Sequence, residues 1–474
     1  MQSDKDTALS RLERLISIFC PLKPNDGNGV CLFGLSGFML MFAYYLLRPV
    51  REALVLSEGN EEIRSYAVGL NAIVLLLLLP SFVRWSRARS GEEVFGGLLG
   101  IAIISLIGFF LAEAAGLSIS VAFFIWLGVF SLVLVAQFWS AATDAYDVET
   151  GQRVFPAIAI GLSLGAGAGA TAASLAFAHL GVDAMLLAAA LVLGFVLATY
   201  RVICRRTRRK HGAAAKTPIA AATITDRGGF ATVIADSYLC KIALLVFLLN
   251  WIDSGGDYIL AHAVRSHVEE SLTGSATMAE RTAMIGNFYG AYFAWACLLG
   301  IMLQLLVVSR LFRRFNVGGA LMVLPVFMVI GYGLLGFVPV FTIIYLVKLI
   351  EGATDYSIQA TARHALFLPL DRDARHRGKT VIETFFWRCG DLAQALMVFI
   401  GLNSLNFSSS NFIIVNLVLA AIALATAVSI AREHACLTGA FKPKRPSRRL
   451  GWTSLSSIAV SLRYRLLDEQ RKQQ

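Results

Sequence analysis

Charged side chains occur inside several apolar segments of this 474-residue chain. An ionisable group in the bilayer core costs roughly 2.5–3.5 kcal/mol on insertion scales, so each one indicates a functional or pairing role. The basic members can hold phosphate or carboxylate groups, because a guanidinium fork matches two oxygens at once. The acidic members can pair with these cations or carry a proton. The basic residues are Arg48, Arg51, Lys241, Lys348 and Arg388, and the acidic residues are Glu52, Asp144, Asp253, Asp257, Glu351, Asp355, Glu383 and Asp391.

The spacing of these residues places several of them on shared helical faces. Lys348, Glu351 and Asp355 recur at i, i+3 and i+7, and Asp253 and Asp257 are four residues apart. Residues at these separations lie above one another on a helix. The pattern predicts that they face a common polar cleft. The alternative is that they form salt bridges between helices, or lie near the membrane surface with their charges in water.

The segments that carry these charges are typical of membrane-spanning helices. Hydrophobic residues make up 57% of the chain and charged residues 15%, and the mean hydropathy is +0.67. A soluble domain has about a quarter charged residues. A spanning helix needs ~20 mostly apolar residues, which predicts an all-α membrane protein with about twelve transmembrane helices. They lie near residues 30–47, 66–83, 94–115, 120–143, 154–178, 182–203, 238–260, 283–309, 317–338, 340–358, 381–403 and 410–431.

The longest polar interruption, which contains the basic cluster Arg205–Lys210, divides these helices into two six-helix halves. Six plus six helices around a central loop is the layout of the major facilitator superfamily. Basic residues concentrate in the termini and in alternate loops, so the positive-inside rule predicts cytoplasmic termini in a bacterial inner membrane. The predicted organisation is a cytoplasmic segment with an interfacial helix (1–29), a first half (30–205), a cytoplasmic linker (206–236), a second half (237–435) and a basic cytoplasmic tail (436–474).

Other classes of function lack support in the sequence. The seven cysteines and seven histidines show neither CxxC nor HExxH spacing, and no GxxxxGK phosphate loop is present. We therefore expect no metal, no cofactor and no enzymatic activity. The net charge of +11 is explained by topology and by attraction to anionic lipid, without a nucleic-acid partner. The expected partners are a small-molecule substrate and membrane lipid, and the expected state is a monomer.

Several motifs resemble those of the bacterial and plastid ATP/ADP translocases. Residues 44–54 read YYLLRPVREAL, which is similar to that family's signature at the end of the first span. Residues 138–140 and 161–166 resemble its fourth and fifth spans. The most specific likeness is the run of residues 368–371, 377–379 and Glu383, between spans ten and eleven. The likeness covers most of residues 10–435 and implies a facilitator-like fold.

The resemblance also implies roles for particular residues. Arg51 and Glu52 occupy the places of a basic residue and its acidic neighbour in the first span, Asp257 aligns with an acidic residue of the seventh, and Lys379 keeps the family's Gly-Lys step. The chain departs from the family at residues 127–129, where exchangers have an acidic residue, at Ala261 in place of a lysine, and at Pro156. These departures concern nucleotide exchange more than the fold.

The sequence thus predicts a transporter that works by alternating access and exchanges nucleotides (ATP/ADP) or related phosphorylated metabolites. Arg48, Arg51, Lys348, Arg388 and Lys379 are the candidate substrate-binding residues, and the acidic residues named above are the candidates for coupling and gating. Because acidic residues outnumber basic ones in the spans, a proton-coupled facilitator for a different small solute is an alternative. A non-transporting membrane protein built on a transporter fold is another.

Overall fold

The computed structural model describes residues 27–87, 89–146, 148–211, 227–272 and 277–438, and the described residues contain helices but no strands. The predicted interfacial helix within residues 1–29 falls almost wholly outside this range. Most of the predicted linker and most of the basic tail are also outside it. The chain divides into a compact unit that ends at His434 and a C-terminal unit from Ala435, of which residues 435–438 are described.

The first half contains six long helices. They are α1 (Gly27–Glu58), α2 (Glu61–Arg87), α3 (Gly91–Ala114), α4 (Ser120–Ala145), α5 (148–180) and α6 (182–211). A continuous helix over Val148–His211 would far exceed the ~30 Å bilayer core at 1.5 Å per residue. Gly181 interrupts it with φ 68° and ψ −173°, a conformation essentially confined to glycine. α5 and α6 are therefore two separate crossings.

A nine-residue helix, Arg227–Ala235, precedes the second half, which also contains six long helices. They are α7 (Ser237–Ser271), α8 (278–315), α9 (317–337), α10 (Phe341–Leu366), α11 (Arg372–Asn403) and α12 (Ser409–Leu437). Asn316, with φ 57°, separates α8 from α9 as Gly181 separates α5 from α6. Wider π-helical turns interrupt α8 at Gln304–Val308, α10 at Asp355–Gln359 and α11 at Ile382–Phe386.

The prediction of about twelve transmembrane helices is confirmed. Nine helices of the described part are long and apolar enough to cross a membrane, and two of these, 52 and 60 residues long, contain the turns at Gly181 and Asn316. Helix α10 is the remaining crossing. It falls outside the nine because it carries several charged residues, including Lys348, Glu351 and Asp355. The chain is a multi-pass membrane protein.

Helix α5 packs unusually close to α1. A Cβ added at Gly161 would lie 2.7 Å from the Gly34 carbonyl oxygen. At Gly165 and Gly169 it would overlap the backbone of Phe38 and Phe42. Small residues at every fourth position allow such an approach. The glycine spacing in α5 therefore serves helix packing.

The two halves meet along three main pairs of helices, α2 with α11, α5 with α8 and α1 with α8. The contacts include Tyr66 with Phe399 (rings 6.2 Å apart), Gly69 with Ala395, Phe177 with Gly286 and Ser174 with Gly290. All of these lie toward the end of the bundle at which α1 ends and α2 begins, which we call the closed end. The halves therefore pack closely at this end, and any space between them lies deeper in the bundle.

Candidate functional site

A cavity of about 880 Å³, counted with its open mouth, lies between the two halves. Its wall combines charged and aromatic side chains from α1, α2, α7, α8, α10 and α11. The charged and aromatic lining residues are Tyr45, Arg48, Arg51, Glu52, Arg64, Asp253, Asp257, Tyr289, Tyr292, Phe293, Asp355, Tyr356, Arg363 and Trp387.

Arg48 reaches from α1 across the cavity to the other half. Its guanidinium carbon lies 4.1 Å from the ring centroid of Phe293, and Nη2 donates to the hydroxyl of Tyr356 at 3.3 Å. A weaker hydrogen bond of 3.4 Å joins Nη1 to Tyr45. Its Nε is buried and makes no hydrogen bond within the described part of the chain. Arg48 is thus positioned by aromatic groups and no described carboxylate lies within ion-pair distance of it.

Arg363 lies on α10, seven residues beyond Tyr356, which is ~10 Å further along the helix axis. Its guanidinium carbon is 4.5 Å from the ring centroid of Trp387 on α11. Nε and Nη1 are buried without a hydrogen-bond partner among the described residues. The cavity therefore contains a second guanidinium held by an aromatic ring and with free donors.

An unbroken chain of ion pairs crosses the wall nearest the closed end. Arg51 pairs with Glu52, and the other oxygen of Glu52 accepts from Arg64 Nε at 2.6 Å. Arg64 Nη2 is 3.1 Å from Asp257 Oδ2, and Asp257 Oδ1 is 3.2 Å from Lys348 Nζ. Glu52 is fully buried, which is compatible with its charge only because two guanidinium groups flank it. The Arg64–Asp257 pair joins α2 of the first half to α7 of the second.

Lys348 is the centre of a carboxylate cluster behind the cavity wall. It is 1% exposed, and its Nζ lies 2.9 Å from Asp253, 3.2 Å from Asp257 and 3.0 Å from Glu351. Glu351 also accepts a hydrogen bond of 2.9 Å from Tyr332. Lys348 has no donor left for a substrate, so the structure places this predicted substrate-binding residue in an internal ion-pair network. Glu351 belongs to the same network.

Asp355 begins the π-helical turn of α10 and lines the cavity. Its charged neighbours are Arg363, Asp253 and Lys348. Neither cation, Arg363 or Lys348, lies within ion-pair distance of its carboxylate. No hydrogen bond of its carboxylate joins it to another described side chain. π-helical turns occur often at functional sites. Asp355 is therefore the lining carboxylate that is available to a ligand or a proton.

Five predicted site residues lie away from the cavity. Arg388 is 3.0 Å from Asp391, on the same helix. Asp391 in turn accepts from Asn250 and Ser254 of α7, each at 2.8 Å, so both charges serve contacts within the second half. The expectation that Arg388 faces the cleft is thereby corrected.

The other three are Lys379, Glu383 and Asp144. Lys379 is 4.0 Å from Glu383, which is 3.3 Å from His364, all within the second half. Asp144 is exposed near the end of α4, close to Gly91. The structure thus separates Asp144, Lys379 and Glu383 from the cavity, while it brings Arg48, Arg51, Glu52, Asp253, Asp257 and Asp355 together there.

Two arginines of the site were missed from the sequence. Arg64 lies just before the predicted start of the second span at residue 66, and Arg363 lies beyond the predicted end of the tenth at residue 358. The helices α2 and α10 extend past both positions. A signal for Arg64 was present, since a basic residue on a predicted external segment is an exception to the positive-inside rule.

Basic and acidic groups balance in and behind the cavity wall. The basic groups are Arg48, Arg51, Arg64, Arg363 and Lys348, and the acidic groups are Glu52, Asp253, Asp257, Asp355 and Glu351. Their distribution is uneven, because the ion-pair chain near the closed end consumes most of them. Arg48, Arg363 and Asp355, which form no ion pair with any described residue, face the remainder of the cavity.

Comparison with solved structures supports the architecture. A bacterial homologue of the iron transporter ferroportin in an inward-facing state aligns with a TM-score of 0.62 and 15% identity, over 85% of this chain and 98% of that one. A nucleoside transporter, NupG, gives 0.57 and 12% over 87% and 99%. A POT family transporter in complex with 5-aminolevulinic acid gives 0.59 and 14% over 87% and 97%.

The chain has the major facilitator fold. The similarity extends over nearly the full length of each of these structures, and each is a transporter of this twelve-helix type. At 12–15% identity the likeness concerns the fold alone. No family model matches the sequence, and no curated protein matches it.

Proposed function

We propose that the protein is a membrane transporter that works by alternating access and carries a small organic anion, a nucleotide or a related phosphorylated metabolite. The observation that carries this proposal is the pair of guanidinium groups, Arg48 and Arg363, that face one cavity without a carboxylate partner among the residues that the structure describes. They come from different halves, α1 and α10. A solute bound between them contacts both parts that move in alternating access.

The unpartnered donors define the chemistry of the solute. Arg48 Nε, Arg363 Nε and Nη1, and the hydroxyl of Tyr289 are buried and lack acceptors among the described residues. Buried donors without partners are costly, and a phosphate or carboxylate supplies several acceptor oxygens at once. The aromatic wall, which includes Tyr45 and Tyr292, offers flat apolar surface for the remainder of the solute.

Charge balance supports exchange over simple diffusion of an anion. Since acidic and basic groups are equal in number around the cavity, a lone anion leaves it with uncompensated negative charge in a medium of low dielectric. Replacing one bound anion by another preserves the balance. The resemblance of residues 44–54 to the ATP/ADP translocases favours ATP and ADP as the exchanged pair, and one structural neighbour carries nucleosides.

The proposed orientation follows from the distribution of basic residues. With cytoplasmic termini in a bacterial inner membrane, the closed end faces outward and the cavity opens toward the cytoplasm. Tyr356, on the side of the cavity remote from the closed end, is 59% exposed, in agreement with an opening there. The same orientation places the predicted linker between the halves, residues 206–236, in the cytoplasm.

The test is counterflow in proteoliposomes. Labelled ATP should enter vesicles that are preloaded with ADP much faster than it enters empty vesicles. Arg48→Gln and Arg363→Gln should each reduce this difference in rate. Arg84→Gln is a matched control, because Arg84 is an exposed arginine at the other end of α2. Among the described residues it donates a hydrogen bond only to the Pro80 carbonyl oxygen of its own helix. Absence of counterflow with nucleotides and with sugar phosphates would overturn the proposal.

A second candidate, a proton-coupled facilitator for a different small solute, is favoured by Asp355. This carboxylate faces the cavity without an ion pair within the described residues, so it can accept a proton as a solute binds. Uptake driven by an imposed pH gradient, and abolished in Asp355→Asn without loss of solute binding, would select this candidate. If Asp355→Asn retains gradient-driven uptake, Asp355 is not the coupling site.

A further inference from the structure

Arg64 has two carboxylate partners and one unused nitrogen. Nε donates to Glu52 at 2.6 Å and Nη2 to Asp257 at 3.1 Å. Nη1 donates to no described residue, and Arg64 lines the cavity although its side chain is only 5% exposed. A buried guanidinium with a nitrogen directed to no protein acceptor is a candidate contact for an anionic ligand.

The Arg64–Asp257 pair can open without leaving an isolated charge. On the first half, Arg64 keeps Glu52 of α1 as a partner. On the second half, Asp257 keeps Lys348 of α10, 3.2 Å away. Breaking a buried ion pair is usually strongly unfavourable because one charge remains unpaired. Here each member has a second partner in its own half, so the bond between the halves is the one that is free to exchange.

Taking the proposed function as its basis, we propose that Arg64 belongs to the anion-binding site and that the phosphate or carboxylate of the substrate replaces Asp257 as its partner. The anion takes the nitrogens Nη1 and Nη2, whose fork geometry suits two oxygens of one group. Asp257 then pairs with Lys348 alone. The substrate thereby removes the ion pair that joins α2 to α7.

This exchange of partners couples occupancy to movement. In the empty protein the pair holds the two halves together beside the closed end, below the outer contact between Glu61 and Arg265 (3.2 Å). With an anion bound, the inner pair is released and the closed end can open. The empty protein therefore changes slowly between its inward-open and outward-open conformations, and the occupied protein changes quickly. This is the behaviour of an exchanger rather than a uniporter.

Two variants separate the role of Arg64 in binding the anion from its role in the Arg64–Asp257 ion pair between the halves, which we call the latch. Asp257→Asn removes the latch and leaves the arginine free, so the closed end should open without ligand while the affinity for ADP changes by less than about threefold. Arg64→Gln removes both the ion pair with Asp257 and the guanidinium that binds the anion, so the closed end should open and the affinity for ADP should fall tenfold or more. A purely structural role for Arg64 predicts the same small effect on affinity for both variants.

The readouts are amide hydrogen exchange in residues 58–66 and 258–268 of the ligand-free protein, binding of ADP with inorganic phosphate as a second probe, and the ratio of exchange to net efflux in proteoliposomes. Asp257→Asn should lower that ratio, because the empty protein then also changes between its inward-open and outward-open conformations. The matched control is Lys241→Gln, which breaks a 2.8 Å pair with Glu433 that lies within the second half, away from the cavity. It should leave all three readouts unchanged.

If Asp257→Asn does not fold, Arg64→Lys supplies the comparison, since it keeps a charge opposite Asp257 but lacks the fork. It should keep the closed end shut and lose affinity for ADP. Closed-end exchange in Asp257→Asn equal to that of the wild type, or wild-type affinity in Arg64→Gln, would overturn the inference. Failure of every phosphorylated probe to bind the wild type would instead overturn the proposed function, while the ligand-free exchange measurement would still decide whether the pair is a latch.

Discussion

The guanidinium group of Arg48 lies over the ring of Phe293, 4.1 Å from its centroid, so a cation of α1 in the first half rests on an aromatic side chain of α8 in the second. An arginine held in this way is restrained without being neutralised. Its charge remains available to a ligand. The same arrangement recurs at Arg363 on Trp387, and the two together define the proposed anion site.

The first prediction concerns Arg48. Arg48→Gln should weaken binding of a phosphorylated substrate tenfold or more, because a hydrogen bond from a charged group is worth ~1.5–3 kcal/mol. Arg48→Lys should retain part of the affinity, since the charge survives while the fork is lost. Equilibrium binding of ADP to purified protein measures both. Equal affinity in all three proteins would remove Arg48 from the site.

The second prediction separates Arg363 from the ring that positions it. Arg363→Gln should weaken ADP binding as strongly as Arg48→Gln, whereas Trp387→Leu should have a smaller effect. The ring contributes a cation–π contact of ~0.5–2 kcal/mol but no hydrogen bond to the substrate. The same binding assay applies. A larger loss in Trp387→Leu than in Arg363→Gln would show that the ring, rather than the guanidinium, contacts the solute.

A third prediction concerns stability. Lys348→Met should lower the free energy of unfolding by about 3–5 kcal/mol, because it leaves buried carboxylates without their cation. Adding Glu351→Gln, which removes one of those carboxylates, should recover part of the loss. Thermal unfolding in detergent is the measurement. If the double variant unfolds at the same temperature as Lys348→Met, uncompensated charge is not the cause.

The fourth prediction tests the packing of α5 on α1. Gly165→Ala should destabilise the protein by about 1–3 kcal/mol, because its Cβ overlaps the backbone of Phe38, which cannot rotate away. Gly194→Ala in α6 is the matched control. Nothing lies within 4 Å of the added Cβ there, and alanine is favoured over glycine in a helix by roughly 0.5–1 kcal/mol. The two substitutions should therefore have opposite signs in the same unfolding assay.

Much of the architecture could be predicted from the sequence, because the bilayer forces apolar residues into long blocks. Hydropathy separates the twelve helices even where the structure joins two of them through a single residue, Gly181 or Asn316. The cost of intramembrane charge also led to Arg48, Asp253 and Asp257, which do line the cavity. These inferences depend on composition and spacing within one helix.

The partners of each charge could not be predicted in the same way, because they come from different helices. Arg64 pairs with α1 and α7, and it was overlooked because helix α2 begins one turn earlier than its apolar residues indicate. Lys348 was expected to hold substrate, but three carboxylates surround it. For Arg388 the i, i+3 spacing to Asp391 already indicated a local pair.

The central claim is that the cavity binds a phosphorylated anion between Arg48 and Arg363, and its most direct test compares ADP with adenosine. Calorimetric titration of the wild type should show ADP binding at least tenfold more tightly than adenosine, which has the same base and sugar but no phosphate. The double variant Arg48→Gln/Arg363→Gln should lose most of this preference, with only the part due to Arg64 remaining, while its affinity for adenosine stays the same. Equal affinities of the wild type for the two ligands, or a preference for ADP that persists undiminished in the double variant, would contradict the account.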